Sequence, residues 1–302
     1  MRRGGTRSRF GADRSHVLHG RAPGRLRSGH EVGNGRTGRE AVRRARTGGG
    51  MIPHHSVGGR EGAETIVFSH SLGASEDMWR PQVEALADRF RLVRYDTRGH
   101  GRTRSGGGAF DIRDLADDIA DLLDHLEVER AHLVGISLGG ATVLDFAARH
   151  RERTDRIAVI GTAVKPGSPA YWAERVKLVR TRGMAAVAET ATRRWFTDRF
   201  HSEHPDIVKR FRRDIAACDP LGYTACCRAL AETDLRDELG DIEAPALVLY
   251  GDQDTVATEA DARVLEAGIR DCRIAAVEGA AHIASTEQAE AVNRLLLEHL
   301  NG

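Results

Sequence analysis

No stretch of this sequence approaches the ~20 consecutive apolar residues that a membrane-spanning helix requires, so no spanning segment is expected. Cysteine is scarce. Cys218, Cys226, Cys227 and Cys272 fit no C-x-x-C or metal-ligand spacing, and the adjacent pair cannot easily bridge to itself. Reduced thiols in a cytoplasmic protein are expected, with neither a metal nor a cofactor. Net charge is also nearly absent, at +1, but that balance hides an asymmetry. Residues 1–50 hold thirteen arginines against Asp13, Glu31 and Glu40, which leaves 32 basic and 41 acidic residues in the remainder. An acidic body argues against nucleic acid as the main partner. The first fifty residues also lack any helical or strand periodicity and carry a single aromatic, Phe10, so they are expected to be disordered. An Arg/Gly tail for RNA or an anionic surface, an acidic-poor transit peptide, and upstream sequence ahead of a true start at Met51 all fit this composition. The last is preferred.

What is present beyond residue 50 is an alternation. With 302 residues, 40% of them apolar, the chain can hold one large domain with an insertion or two small ones. An edge strand is expected within 52–57, followed by a turn at Gly58-Gly59, then a strand from Thr65 to Phe68 that runs into Ser69-His70-Ser71-Leu72-Gly73. Pro81 suits the first turn of a short helix carrying Val83, Leu86 and Ala87. Arg91 to Asp96 reads as the next strand. Asp111 caps a helix on which Ile112, Leu115, Ile119, Leu122, Leu123 and Leu126 recur at helical spacing. Further strands are expected at Leu133–Ile136, Arg156–Ile160, Ala246–Tyr250 and Arg273–Val277, and a last helix from a Ser285-Thr286-Glu287-Gln288 capping box, with Val292, Leu295 and Leu296 facing inward. Strand-helix alternation predicts an α/β fold with a mostly parallel sheet covered on both faces. From about Pro166 to Leu239 only helical patterns occur, over 172–182, 184–196, 207–218 and 223–231. The expected division is therefore a core of 51–163 and 240–302 interrupted by an all-helical lid, 164–239.

The stretch Gly135-Ile136-Ser137-Leu138-Gly139 sits where a buried strand turns into a helix. A serine at so sharp a corner is held in a strained backbone conformation, and side chains at the flanking glycines would strike the neighbouring strand and helix. This is the pattern of a nucleophile elbow; an ordinary helix-capping serine is the blander alternative. A serine hydroxyl is a weak nucleophile and needs a base, itself oriented by a carboxylate. Two later strand ends offer these: Gly251-Asp252-Gln253-Asp254, and Gly279-Ala280-Ala281-His282. Ser137, Asp254 and His282 are the expected catalytic residues, with Asp254 preferred to Asp252 because it lies further round its loop. Backbone N–H groups of Leu72 and Leu138 are the expected oxyanion donors.

With these parts in place the chain resembles the α/β-hydrolase superfamily and, within it, the 3-oxoadipate enol-lactonases of aromatic-compound (protocatechuate and catechol) catabolism. The resemblance runs from about Thr65 to the C-terminus and is carried by SHSLGASEDMW (69–79), RLVRYDTRGHG (91–101), GISLGG (135–140), RGMAAVAETATRRWFT (182–197), DPLGYTACCRALAETDLRDEL (219–239) and GAAHIASTEQ (279–288). Ser71 stands where many superfamily members have the glycine of a His-Gly oxyanion loop. The resemblance implies hydrolysis, through an acyl-enzyme, of a small lactone bearing a carboxylate. Such a carboxylate needs a cation, for which the lid offers Lys165, Arg175, Arg193 and Arg194, with Trp172, Trp195 and Tyr223 as walls. A carboxylesterase or cofactor-free perhydrolase of the same fold, and a non-hydrolysing small-molecule receptor on this scaffold, are the competing readings. Oligomeric state stays open. The family normally begins with a β-hairpin before Thr65, and residues 40–60 show no convincing first strand.

Overall fold

The computed structural model describes residues 51–301, so the Arg/Gly-rich segment 1–50 lies outside the described residues. The elements in chain order are β1 (His55–Gly59), β2 (Thr65–Ser69), α1 (Arg80–Leu86), β3 (Arg91–Tyr95), α2 (Ile112–His125), β4 (Ala131–Ile136), α3 (Leu138–Arg149), β5 (Thr154–Ile160), α4 (Pro169–Trp195), α5 (Asp198–Glu203), α6 (Pro205–Ala217), α7 (Pro220–Glu232), β6 (Ala246–Gly251), α8 (Glu259–Gly268), β7 (Cys272–Val277), α9 (Ala284–Glu287) and α10 (Ala289–Leu300). Seven strands form one sheet in the order β1-β3-β2-β4-β5-β6-β7, with every pair parallel except β1 with β3. The expected α/β class holds.

Central strands are largely apolar because helices cover both faces, and every residue of β4 is buried, His132 included. Helix α2 shows how its sequence fixes one end: the Asp111 side chain accepts from the N–H groups of Arg113 and Asp114, while Asp114 returns a bond to the Asp111 N–H. Its Ile112, Leu115, Ile119, Leu122 and Leu123 are all buried. Truncating one of them, as in Leu122→Ala, is expected to cost about 2–5 kcal/mol. Between β5 and β6 the alternation stops for four helices, α4 to α7, so this helical insert enters above the carboxyl ends of the strands. Ligand sites of open α/β sheets lie at those ends.

Three expectations need correction. The expected edge strand exists but lies further along the chain: β1 pairs antiparallel with β3, from His55 opposite Tyr95 to Gly59 opposite Arg91, so the two glycines expected in a turn are strand residues. Its outer half is exposed and is held by backbone bonding, which leaves no apolar alternation to read. The capping box at Ser285 is also absent, since α9 and α10 break at Gln288 and the Ser285 hydroxyl has no partner among the described residues. Glu287 instead reaches back, its Oε2 accepting from the Ala281 N–H at 2.8 Å and its Oε1 from the Thr197 N–H at 3.0 Å. Helix α5 was not anticipated, and neither was α8, the crossover that a parallel β6–β7 pair requires. The two helical patterns over 172–196 do form as read, since α4 is two helical stretches broken at Gly183, where φ is +74°. No helix among the described residues is long and apolar enough to cross a membrane, and the four cysteines are free.

Candidate active site

Ser137 is the residue at which β4 becomes α3, with φ 56° and ψ −115°, a conformation that L-residues rarely adopt. The corner leaves no space. A Cβ on Gly135 would come within 2.3 Å of the Gly139 carbonyl oxygen, and one on Gly139 within 2.1 Å of the Ser69 carbonyl oxygen. Both glycines are thus demanded by the close passage of helix and strand, and the Ser137 N–H is tied to the Ile160 carbonyl at 2.9 Å.

The loops after β6 and β7 bring Asp254 and His282 together. His282 Nδ1 lies 2.8 Å from Asp254 Oδ2, and both side chains are almost fully buried. Because a carboxylate oxygen can only accept, the Nδ1 carries the proton and the Nε2 lone pair is left for another partner. The second Asp254 oxygen accepts from the Val256 N–H at 2.6 Å, which fixes the carboxylate plane. Asp252 is employed differently: its Oδ1 accepts from the N–H groups of Gly279 and Ala280 at 2.9 and 3.3 Å, bracing the neighbouring loop. The His282 loop is further held to the helical insert by the Ile283 N–H, which donates to the Trp195 carbonyl at 3.0 Å.

Ser137 and His282 line one recess of about 40 Å³ with Ser71, Leu72, Tyr171, Trp172, Arg175, Arg194, Trp195 and Tyr223. A second cavity of about 260 Å³ opens from the same serine past Gly161, Ala163, Leu230 and Ala257, sharing Tyr171, Trp172 and Arg194. The backbone of the Leu72 loop has one donor to spare. The N–H of Ser71 points to the Met78 sulfur, that of Gly73 to His100 and that of Ala74 to the Ser71 carbonyl, whereas Leu72 has no such partner among the described residues. The N–H of Leu138, first in α3, is likewise unpaired among them.

Of the four cations read from the insert, the structure brings two into the recess. Lys165 pairs with Asp234 at 3.2 Å and Arg193 with Glu189 at 3.0 Å, both at the surface. Arg175 and Arg194 reach the recess, and no carboxylate among the described residues pairs with either. They meet instead at Tyr171, a residue that sequence reasoning missed. The phenol oxygen accepts from Arg175 Nη2 at 2.8 Å and from Arg194 Nη1 at 2.7 Å, and both guanidiniums lie over its ring, 5.6 and 5.4 Å from the centroid. The Tyr171–Arg175 spacing of four on one helix is visible in sequence, but Arg194 joins only because the chain kinks at Gly183. Away from the recess, His54, Glu76 and Asp96 hold metal-ligand atoms within 4.8 Å of one another. That cluster is already engaged: the Arg102 guanidinium pairs with Glu76, and the N–H groups of Glu76 and Arg102 bond the two Asp96 oxygens.

Comparison with known proteins agrees with this geometry. The α/β hydrolase fold family matches residues 64–288. Over 240 residues the chain is 38% identical to 3-oxoadipate enol-lactonase 2 of Acinetobacter baylyi, covering 80% of this chain and 90% of that one. It is 32% identical over 260 residues to a putative carbamate hydrolase RutD of Agrobacterium fabrum, covering 82% and 97%. The crystal structure of the enol-lactonase from Burkholderia xenovorans superposes with a TM-score of 0.81 at 38% identity, covering 82% of this chain and 96% of that one. Sequence, sheet order and elbow therefore converge, and the chain belongs to the α/β-hydrolase family of hydrolytic enzymes.

Proposed function

We propose that this hydrolase opens 3-oxoadipate enol-lactone to 3-oxoadipate, with Ser137 as nucleophile, His282 as base and Asp254 as its orienting acid. The observation that carries the substrate assignment is the pair of guanidiniums, Arg175 and Arg194, that lacks an acidic partner beside the serine. Two uncompensated cations in a small, largely apolar recess favour a ligand with an anionic group, and a planar guanidinium suits a carboxylate. Similarity to enol-lactonases at 38% identity points the same way.

In this reading the His282 Nε2 takes the Ser137 proton as Oγ adds to the ring carbonyl, and the Leu72 and Leu138 N–H groups hold the resulting oxyanion. The bond from the carbonyl carbon to the ring oxygen then breaks. The ring oxygen leaves as an enol, taking the proton from His282, and an enol leaves more readily than an alkoxide. Because a lactone is cyclic, the enol stays attached to the acyl-enzyme. A water deprotonated by His282 releases 3-oxoadipate in its enol form, the proton returns to Ser137, and the enol tautomerises to the ketone. Trp172, Trp195 and Tyr223 wall the ring, and residues 164–239 act as the lid that excludes bulk water.

The test is a comparison of kcat/KM for the enol-lactone, a neutral p-nitrophenyl ester and a small carbamate under one set of conditions. The lactone is expected to exceed both by about thirtyfold to a hundredfold or more, since losing a buried charge-assisted contact is worth roughly 2–3 kcal/mol. Preference for the neutral ester or the carbamate would overturn the assignment.

A further inference from the structure

The Leu72 N–H is a useful oxyanion donor only if its loop cannot tilt, and β2 ends at Ser69, three residues earlier. Two buried histidines stand at the two ends of this gap. His70 Nδ1 lies 2.8 Å from the Ser71 carbonyl and its Nε2 accepts from the Thr97 N–H at 2.9 Å. His100 Nδ1 lies 3.0 Å from the Arg98 carbonyl and its Nε2 accepts from the Gly73 N–H at 2.9 Å. A carbonyl only accepts and a backbone N–H only donates, so each ring satisfies both partners in one state alone, the neutral Nδ1–H tautomer. Burial favours that state, and it pushes His100 down to about 3. The rings lie 5.3 Å apart, and both are fully buried.

The loop that supplies Thr97 and His100 is itself anchored. Arg98 forks onto Asp118 of α2 with two bonds of 2.6 Å. The Asp219 N–H at the start of α7 donates to the Gly99 carbonyl at 3.1 Å, and Gly99 packs so tightly on Gly222 that an added Cβ would fall 2.4 Å from the Gly222 Cα. His100 also touches the Tyr223 ring, with centroids 6.2 Å apart.

We propose that His70 and His100 are positioning residues for hydrolysis, clamping residues 70–73 to the 97–103 loop so that the Leu72 N–H is presented to the oxyanion. This rests on the serine acyl-transfer reading above, but not on the identity of the lactone. His70 holds the strand side of the loop and His100 the far side. Neither ring touches the substrate.

Two amide replacements at position 100 separate the bonds. His100→Gln can place an acceptor where Nε2 stands, whereas His100→Asn reaches only the Nδ1 position and leaves the Gly73 N–H unpaired. With p-nitrophenyl acetate, His100→Asn is expected to lose on the order of 30- to 100-fold in kcat with KM changed less than about threefold, while His100→Gln stays within about fivefold of the parent. Affinity for a trifluoromethyl ketone, whose serine adduct carries an oxyanion, should fall in step with kcat. Equal activity of the Asn and Gln variants, or a loss confined to KM, would overturn the proposal. Should either variant fail to fold, the parent protein decides: on adding the trifluoromethyl ketone, the Leu72 amide proton must shift downfield while the Gly73 amide keeps its position, and an unmoved Leu72 signal would refute the clamp. Undiminished ester turnover by Ser137→Ala would instead refute the serine reading itself.

Discussion

The sheet and the helical insert meet at one recess, and they hold their functional groups by different means. On the sheet side the main chain is what is fixed: Ser137 is set by its φ of 56° and two flanking glycines, Leu72 by a loop whose neighbouring N–H groups are engaged by Met78 and His100, and Asp254 by the Val256 N–H. On the insert side side chains fix one another, as Tyr171 does for Arg175 and Arg194. The contrast separates two tasks. In the proposed reading, bond-breaking chemistry, which tolerates little displacement, sits on the rigid sheet frame, whereas substrate choice falls to insert side chains that substitution can exchange without disturbing the sheet.

The contrast is most severely tested on the sheet side. Ser137→Ala and His282→Ala are each expected to lower kcat by on the order of 10⁴-fold or more, with little change in thermal stability, as steady-state assays and melting curves would record. Asp254→Asn should cost ~10³- to 10⁴-fold, whereas Asp252→Asn, which only weakens a loop brace, should stay within about tenfold; the reverse order would exchange the two roles. Gly139→Ala should destabilise by about 3 kcal/mol or prevent folding, because its Cβ meets backbone rather than a side chain that can turn away.

Substitutions on the insert side should act on binding. Arg194→Met is expected to raise KM for the lactone by about tenfold to a hundredfold while affecting a neutral ester several-fold at most, and Tyr171→Phe should do the same more weakly by releasing the two guanidiniums from each other. Equal losses on both substrates would erase the proposed division of labour.

The expected effect furthest from the recess is on acid stability. His100 is held neutral with its value lowered to about 3, and His299 with its value lowered to about 4, both by burial. Their contribution is complete above the unfolded-state value of about 6.5 and is lost as pH falls toward those folded values, at up to about 1.4 kcal/mol per pH unit for each. Asp118, raised to about 6 by burial, works in the opposite sense, since the native state takes up its proton first. The melting temperature should therefore fall below about pH 6.5. His100→Gln should flatten that decline, and an unchanged slope would count against the neutral assignment.

What the sequence made legible follows the same boundary. The elbow, the strands and the Ser, Asp and His positions could be read because backbone geometry imposes a residue type, as glycine at 135 and 139, or uniform burial, as in β4. The bounds of strand β1 were obscured because an exposed edge needs no apolar residues, and α8 because only Ala262 and Leu265 of its ten residues are buried. Glu287 looked like part of a cap because its spacing from Ala284 and Ser285 is local, whereas its partners, Ala281 and Thr197, come from a folded-back loop and from the insert. Tyr171 and the histidine clamp were hidden for the same reason, since each joins residues that only tertiary packing brings together.

The central claim is that Ser137 opens a cyclic ester. Rapid mixing of the enzyme with the enol-lactone, acid quenching and mass analysis of the Ser137 peptide would test it most directly. A lactone keeps its leaving group, so the peptide should gain the whole mass of the substrate, and Ser137→Ala should gain nothing. Lactone turnover that persists in Ser137→Ala with no adduct at any stage would contradict the account.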